Sequence, residues 1–244
     1  MSSIISTRPA ACVFGATGGV GAALVEQLAA SEAYDAIYAA ARRDSAGQAP
    51  VRSVRFDLED ETSIAAAAEA AGSGGELRLV LIATGRLHGE GLAPEKSWSA
   101  QSADAYQEAF AINTIGPALI GKHVLPRMAK QGRVVFAAIS ARVGSIEDNR
   151  SGGWHAYRAS KAALNMIMRN FALEMSRRNP ASIVVALHPG TVQTALSAPF
   201  LRPNDGRRVL TPAQSAASLL QVIEGLQPAD TGGFFSWDGE RLPY

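Results

Sequence analysis

The chain has 244 residues, 47% of them hydrophobic and 18% charged, with a formal net charge of +1. That composition suits one globular domain over residues 1–244 with a sizeable core, and the near-neutral charge gives no argument for nucleic acid or an anionic membrane. No apolar run reaches a membrane span, and the N-terminus lacks a basic-then-apolar export signal. The single Cys12 falls in an apolar strand pattern, where a buried and inert thiol is expected, and a reducing cytoplasm is the default location. His88, His123, His155 and His188 have no metal-ligand spacing, so no metal site is expected.

Residues 1–9 read as a loose lead-in. Ala10 to Phe14 is a short apolar run, read as a buried strand. Gly15-Ala16-Thr17-Gly18-Gly19-Val20-Gly21 follows, and then a helical pattern at Val20, Leu24 and Leu28. Strand, glycine turn and helix form the context of a dinucleotide fingerprint. The glycines let the backbone approach a pyrophosphate, and the helix N-terminus offers it N–H groups. The spacing is G-x-x-x-G-x-G rather than G-x-G-x-x-G, and a generic tight turn is the alternative reading.

A second strand spans about Ala36 to Ala41. An acidic residue roughly 20 positions beyond the glycines usually holds the ribose hydroxyl of NAD. Here that count lands on Ala41, Arg42 and Arg43, with no carboxylate to repel a 2′-phosphate and two guanidinium groups to bind one. NADP is therefore predicted over NAD; a solvated Arg pair at a strand end is the alternative. Val51 to Phe56 reads as a third strand, ending at Asp57-Leu58. Asp57 either accepts from an adenine amino group or caps the next helix, Asp60 to Ala71. Leu77 to Ala83 is a fourth strand, apolar enough to be buried on both faces, and it ends at Thr84-Gly85.

Residues 86–101, with Gly89, Gly91 and Pro94, read as a loop at the mouth of a site. A long helix from about Ala103 to Ala129 is interrupted by Pro117, which cannot bond the carbonyl of Asn113. That carbonyl must find another partner, such as water. Arg133 to Ile139 is a fifth strand ending at Ser140, the position beyond a strand's carboxyl end where open α/β sheets bind ligands. The polar link from Ala141 to Ala156 carries Gly144, Gly152 and Gly153.

A helix then runs to about Asn179, and Arg177-Arg178 reads as its solvated end. It opens with Tyr157-Arg158-Ala159-Ser160-Lys161. Residues four apart share a helix face, so the phenol of Tyr157 lies beside the ammonium of Lys161. A neighbouring cation favours phenolate, which predicts a tyrosine pKa below its usual value of about 10 and a proton donor and acceptor near neutral pH. Leu164, Met168, Phe171 and Met175 continue the stripe toward a core. Alone, Tyr-x-x-x-Lys is also compatible with an ordinary amphipathic helix. Apolar residues around much of the girth predict that one face meets the sheet and the other a partner subunit.

Ser182 to Leu187 is a sixth strand, followed by His188-Pro189-Gly190-Thr191. Thr191 to Arg208, with Pro199, Pro203 and Gly206, suits a mobile lid. Thr211-Pro212-Ala213-Gln214 is a helix start with cap, proline and capping-box glutamine, and that helix ends near Gly225. Gly233 to Ser236 is a last short strand before the turn Trp237-Asp238-Gly239.

Strands alternating with helices predict an α/β fold, a doubly wound parallel sheet of about seven strands with helices on both faces. On Gly15, Gly19 and Gly21, Asp57, Asn113, Ser140, Tyr157 with Lys161, and Pro189-Gly190, the chain resembles the short-chain dehydrogenase/reductase family over nearly its whole length. It is similar to the C-factor-like subgroup on Ala83-Thr84-Gly85-Arg86-Leu87-His88, Ser140 to Ile146, Gly153-Trp154 and Trp237-Asp238-Gly239. One departure is Ile82-Ala83-Thr84-Gly85, where many members carry Asn-Asn-Ala-Gly.

The resemblance implies a Rossmann-type fold and hydride exchange between a nicotinamide and a carbonyl or alcohol. Catalysis would fall to four residues: Tyr157 as general acid and base, Lys161 tuning it and binding the nicotinamide ribose, Ser140 donating to the carbonyl oxygen, and Asn113 holding a water linked to Lys161. Cofactor contacts would come from Gly15, Thr17, Gly18, Gly19, Val20 and Gly21; from Arg42, Arg43, Asp57 and Leu58; from Ala83, Thr84 and Gly85; from Asn113, Tyr157 and Lys161; and from Pro189, Gly190, Val192 and Thr194. Substrate would meet residues 86–100, 141–156 and 191–210. A homodimer or homotetramer is implied. A second class stays open: a dinucleotide-binding signalling or regulatory protein with little turnover.

Overall fold

In the computed structural model, residues 9–43, 47–89, 93–201 and 208–244 are described. The expected lead-in up to residue 8, Gly91 of the 86–101 loop, and Pro203 and Gly206 of the expected lid lie outside them.

The described residues form a seven-stranded sheet, parallel throughout, flanked by helices on both faces. The chain runs β1 (Pro9–Phe14), α1 (Gly19–Ala30), β2 (Ala36–Ala41), β3 (Val51–Arg55), α2 (Glu61–Ser73) and β4 (Glu76–Ile82). It continues through α3 (Ala103–Phe110), α4 (Gly116–Val124), β5 (Val134–Ile139), α5 (His155–Arg178) and β6 (Ser182–His188). The pair β7 (Thr191–Val192) and β8 (Val209–Leu210), then α6 (Pro212–Gly225) and β9 (Phe234–Ser236), complete it. The strand order is β3-β2-β1-β4-β5-β6-β9, so the winding reverses between β1 and β4.

Strand alternation divides the apolar residues between two cores. Ala10, Cys12 and Phe14 face one layer with Ile64 of α2, Ile120 of α4, and Leu164 and Met168 of α5. Ala11 and Val13 face the other, with Leu24 and Leu28 of α1 and Leu219 and Ile223 of α6. Central strands are buried on both faces, which explains their unbroken apolar runs. The edge strand β3 instead exposes Arg52 and Arg55, a charge pattern that discourages edge-to-edge pairing.

Two expectations change in detail. The long helix around Pro117 is two α-helices joined by a π-turn over Ala111–Ile115, where the Gly116 N–H donates to the Ala111 carbonyl. The wide turn lies on the N-terminal side of Pro117, where the proline ring crowds the preceding carbonyls. Arg178 is not simply solvated: it donates to the carbonyls of Leu125 (3.0 Å) and Pro126 (2.8 Å), tying the end of α5 to the end of α4. At α6 the Thr211 and Gln214 capping box forms as expected. No helix of the described residues is long and apolar enough to cross a membrane.

Candidate active site

The carboxyl ends of β1, β4, β5 and β6 open into a cleft of about 530 Å³. Its walls include Gly18, Gly19 and Val20 after β1, Ala83, Thr84 and Gly85 after β4, and Ser140 after β5. Tyr157 and Lys161 reach it from α5, and His188, Pro189, Gly190, Val192 and Thr194 close the far side. Gly15, Thr17, Gly21, Arg42, Arg43, Asp57, Leu58 and Asn113 do not line it.

The glycine turn requires its glycines for contact as well as for conformation. Gly15 sits at φ +88, and a Cβ there would lie 2.9 Å from the Ala83 carbonyl carbon. A Cβ on Gly21 would lie 2.1 Å from the Gly15 oxygen. The turn therefore closes only around bare backbone. It delivers an α1 N-terminus with no capping side chain and no acid in its first turn, an arrangement suited to an anion. The Thr84 hydroxyl, buried beside it, has no hydrogen-bond partner among the described residues. The N–H groups of Gly15 and Ala16 donate to the Ala40 carbonyl, which holds the turn against the end of β2. Arg42 and Arg43 follow directly from that end and are exposed. Asp57 does not cap α2. Its Oδ1 accepts from the Glu59 N–H, while Asp60 is the cap and accepts from the Thr62 N–H.

Tyr157 and Lys161 stand one turn apart on α5, and both are buried. The Lys161 Nζ lies 5.9 Å from the Tyr157 ring centre and donates to the Ile139 carbonyl at 2.9 Å. Burial works against the expected acidification of the phenol. Burial pushes the Tyr157 phenol above its ordinary value, because removing water destabilises phenolate more than a cation bonded elsewhere stabilises it. The same burial brings Lys161 down to about 8. Burial thus favours the neutral phenol over the phenolate.

Gly85 draws the cluster together: a Cβ there would lie 3.5 Å from Lys161 Nζ and 3.6 Å from Asn113 Oδ1. The Asn113 amide accepts from the Arg86 N–H and donates to the Arg86 carbonyl, both at 2.9 Å, and donates to Ser160 Oγ at 3.1 Å. The π-turn carries Asn113 to this position between the β4 end and α5. Ser140 departs from expectation. Its Oγ lies 2.7 Å from Asn165 Oδ1 and donates there rather than into the cleft.

Four contributors are given no site role of their own by the glycine turn or the Tyr157–Lys161 motif. Trp154 precedes α5 at φ 50, ψ 42, a left-handed conformation costly for a bulky residue. Its ring packs on Tyr157 (6.3 Å) and Phe200 (5.0 Å). Glu95, buried, takes the place of a local cap: its carboxylate accepts from the Ala156 N–H at 3.2 Å and its carbonyl accepts from the Trp154 N–H. His88 Nε2 lies 3.0 Å from the Leu196 carbonyl and 3.2 Å from that of Ala195. A carbonyl only accepts, so Nε2 carries the hydrogen. Asn165 is the fourth, one turn beyond Lys161. His88 and Trp154 fall in the stretches quoted for the subgroup, and a tryptophan at a helix start where Ser, Thr, Asp or Asn would be usual points to a cap from elsewhere in the chain. His188, also on the cleft, is held neutral by burial, which takes it down to about 4 with help from the Arg142 charge and against that of Asp238.

A short chain dehydrogenase family model matches residues 9–204. The chain is 36% identical over 135 residues to the C-signal of Myxococcus xanthus, which covers 55% of this chain and 76% of that one. It is 38% identical over 141 residues to a 1-hydroxy-2-glutathionyl-2-methyl-3-butene dehydrogenase of Rhodococcus sp. (strain AD45), 58% of this chain and 59% of the relative. Among solved structures, an NADPH-bound carbonyl reductase from chicken fatty liver superposes with a TM-score of 0.78 at 26% identity, covering 98% of this chain and 99% of that one.

Proposed function

Because the chain belongs to the short chain dehydrogenase family, we propose that it is an NADP-dependent oxidoreductase interconverting a carbonyl compound and its alcohol. The observation that carries this reading is the convergence of Tyr157 and Lys161 on the cleft that also holds the bare N-terminus of α1. The nicotinamide, when bound, supplies the hydride.

The chain's own residues do the rest. In reduction, Tyr157 gives its proton to the carbonyl oxygen as the carbon receives the hydride, so the product is the neutral alcohol. Positioned proton transfer of this kind contributes about 10²–10⁴ in rate. Lys161 then gives a proton from its ammonium to the phenolate, restoring the neutral phenol, regains a proton from solvent, and meets the nicotinamide ribose. Asn113 holds the strand end through Arg86 and, with Lys161, a path for protons to solvent. Ser140 orients the carbonyl oxygen. Gly15 to Gly21 and the first turn of α1 take the pyrophosphate, Asp57 and Leu58 the adenine side, and Pro189, Gly190, Val192 and Thr194 the nicotinamide end.

Arg42 and Arg43 support NADP over NAD, since both are exposed beside the glycine turn and positions 41–43 carry no carboxylate. The double change R42A/R43A is expected to weaken NADPH binding about 10–100-fold and leave NADH within about threefold, as loss of phosphate contacts predicts. Equal losses for both cofactors would remove the preference. The outer face of α5, where Met166 is 62% exposed and Leu173 47% exposed, supports a homo-oligomer.

The likeness to the C-signal supports a second reading, a dinucleotide-binding signal protein with little turnover. NADPH consumption against a panel of aldehydes and ketones separates the two. Turnover of any member at enzyme-like rates supports the reductase; tight cofactor binding with no turnover across the panel supports the second reading.

A further inference from the structure

Ser140 and Asn165 are each 2% exposed, and they meet at 2.7 Å behind the cleft wall. The Ser140 N–H donates to the Leu187 carbonyl, so its backbone is fixed between β5 and β6. Asn165 stands four residues past Lys161 and eight past Tyr157, on the same buried face of α5. In the arrangement described above, the serine hydroxyl gives its proton to Asn165 Oδ1. The other end of that amide, the Nδ2 with its two hydrogens, is buried with no partner among the described residues.

That distribution is costly. Two donors are left unmet, and the Ser140 hydroxyl proton is spent inside the protein. A half-turn of the amide exchanges its oxygen and nitrogen without moving any other group. Nδ2 then donates one hydrogen to Ser140 Oγ, one N–H and the Oδ1 acceptor are left unmet in place of two N–H donors, and the serine proton is released toward the cleft that Ser140 lines.

We propose that Asn165 is the positioning residue of this site: its Nδ2–H donates to Ser140 Oγ and so turns the Ser140 hydroxyl proton toward the substrate carbonyl oxygen. The role rests on the reductase reading, and Asn165 itself touches neither substrate nor cofactor. It gives the α5 face three functions at successive turns, with proton transfer at Tyr157, charge at Lys161 and aim at Asn165.

Two measurements test it. Neutron diffraction from deuterated crystals of the full chain reads the amide directly. Deuterium on the Asn165 atom facing Ser140 is the expected result; a deuteron on Ser140 Oγ directed at Asn165 overturns the proposal whether or not any substrate turns over. In steady-state assays with a carbonyl compound that the wild type reduces, N165D leaves only acceptors facing the serine. It is expected to lower kcat about 10²-fold, the scale of a lost donor to a developing oxyanion, with NADPH affinity unchanged. The double variant S140A/N165D is expected to be no slower than S140A. Losses that multiply in the double variant, or N165D within about twofold of wild type, overturn the proposal. A wild type inactive on every carbonyl compound instead removes the reductase reading, and the neutron result then stands alone on the amide.

Discussion

Lys161 carries an ammonium into a site where it is 2% exposed and offers it the carbonyl of Ile139. The group binds its proton less tightly in the folded chain, at about 8 against an ordinary 10.5. Between those values the unfolded chain holds more protons, so stability rises with pH across the window. The cost of burying the charge is present in full below about 8 and is gone above 10.5. K161M, similar in length and apolar, is therefore expected to stabilise the cofactor-free chain by about 1–3 kcal/mol at pH 7. Its advantage should shrink as pH climbs toward 10.5. Thermal unfolding at several pH values checks this; a variant less stable at pH 7, or an advantage flat with pH, contradicts it. A residue retained at such a cost fits function better than stability. Tyr157 illustrates why spacing alone misleads about acidity. Four residues of separation correctly place the phenol near the ammonium, but how much water the fold removes from the phenol is a tertiary property.

At the scale of elements, α5 depends on a cap it does not contain. Glu95, from the segment before α3, accepts the Ala156 N–H and holds Trp154 in its left-handed turn. E95A is expected to cost about 1–2 kcal/mol, the scale of a lost cap, and E95Q less, since its amide oxygen still accepts. Equal stability of all three proteins by thermal unfolding would contradict the role. Elements decided by local chemistry were legible from sequence: the apolar runs of β1, β2 and β4, and the capping box of α6 at Thr211 and Gln214. Pro117 announced a break but not its form. Just past the π-turn, Leu58 packs so close to Gly116 that a Cβ on the glycine would lie 2.5 Å from it. Of the site, the residues fixed by motif spacing, Tyr157, Lys161 and the glycine turn, were legible. The contacts of Glu95, His88 and Asn165 were not, because each acts through a partner 25 to 108 residues away.

For the whole molecule, two apolar layers share the faces of one sheet, and neither can be lost without exposing the other side of the same strands. Residues 9–244 are accordingly expected to unfold in a single transition; two separated transitions by calorimetry would divide them into domains. Sedimentation is expected to find a homo-oligomer, and a monomer at micromolar concentration would leave Met166 and Leu173 unexplained as a contact face. Tyr157 lines the cleft that the strand ends form, and the proposed reaction turns on its proton. The most direct measurement is NADPH consumption by the wild type and by Y157F with the same carbonyl compound, each shown to bind NADPH equally. A loss of at least about 10²-fold in kcat for Y157F is the expected result; a Y157F variant that keeps wild-type turnover would contradict the assignment of proton transfer to this residue.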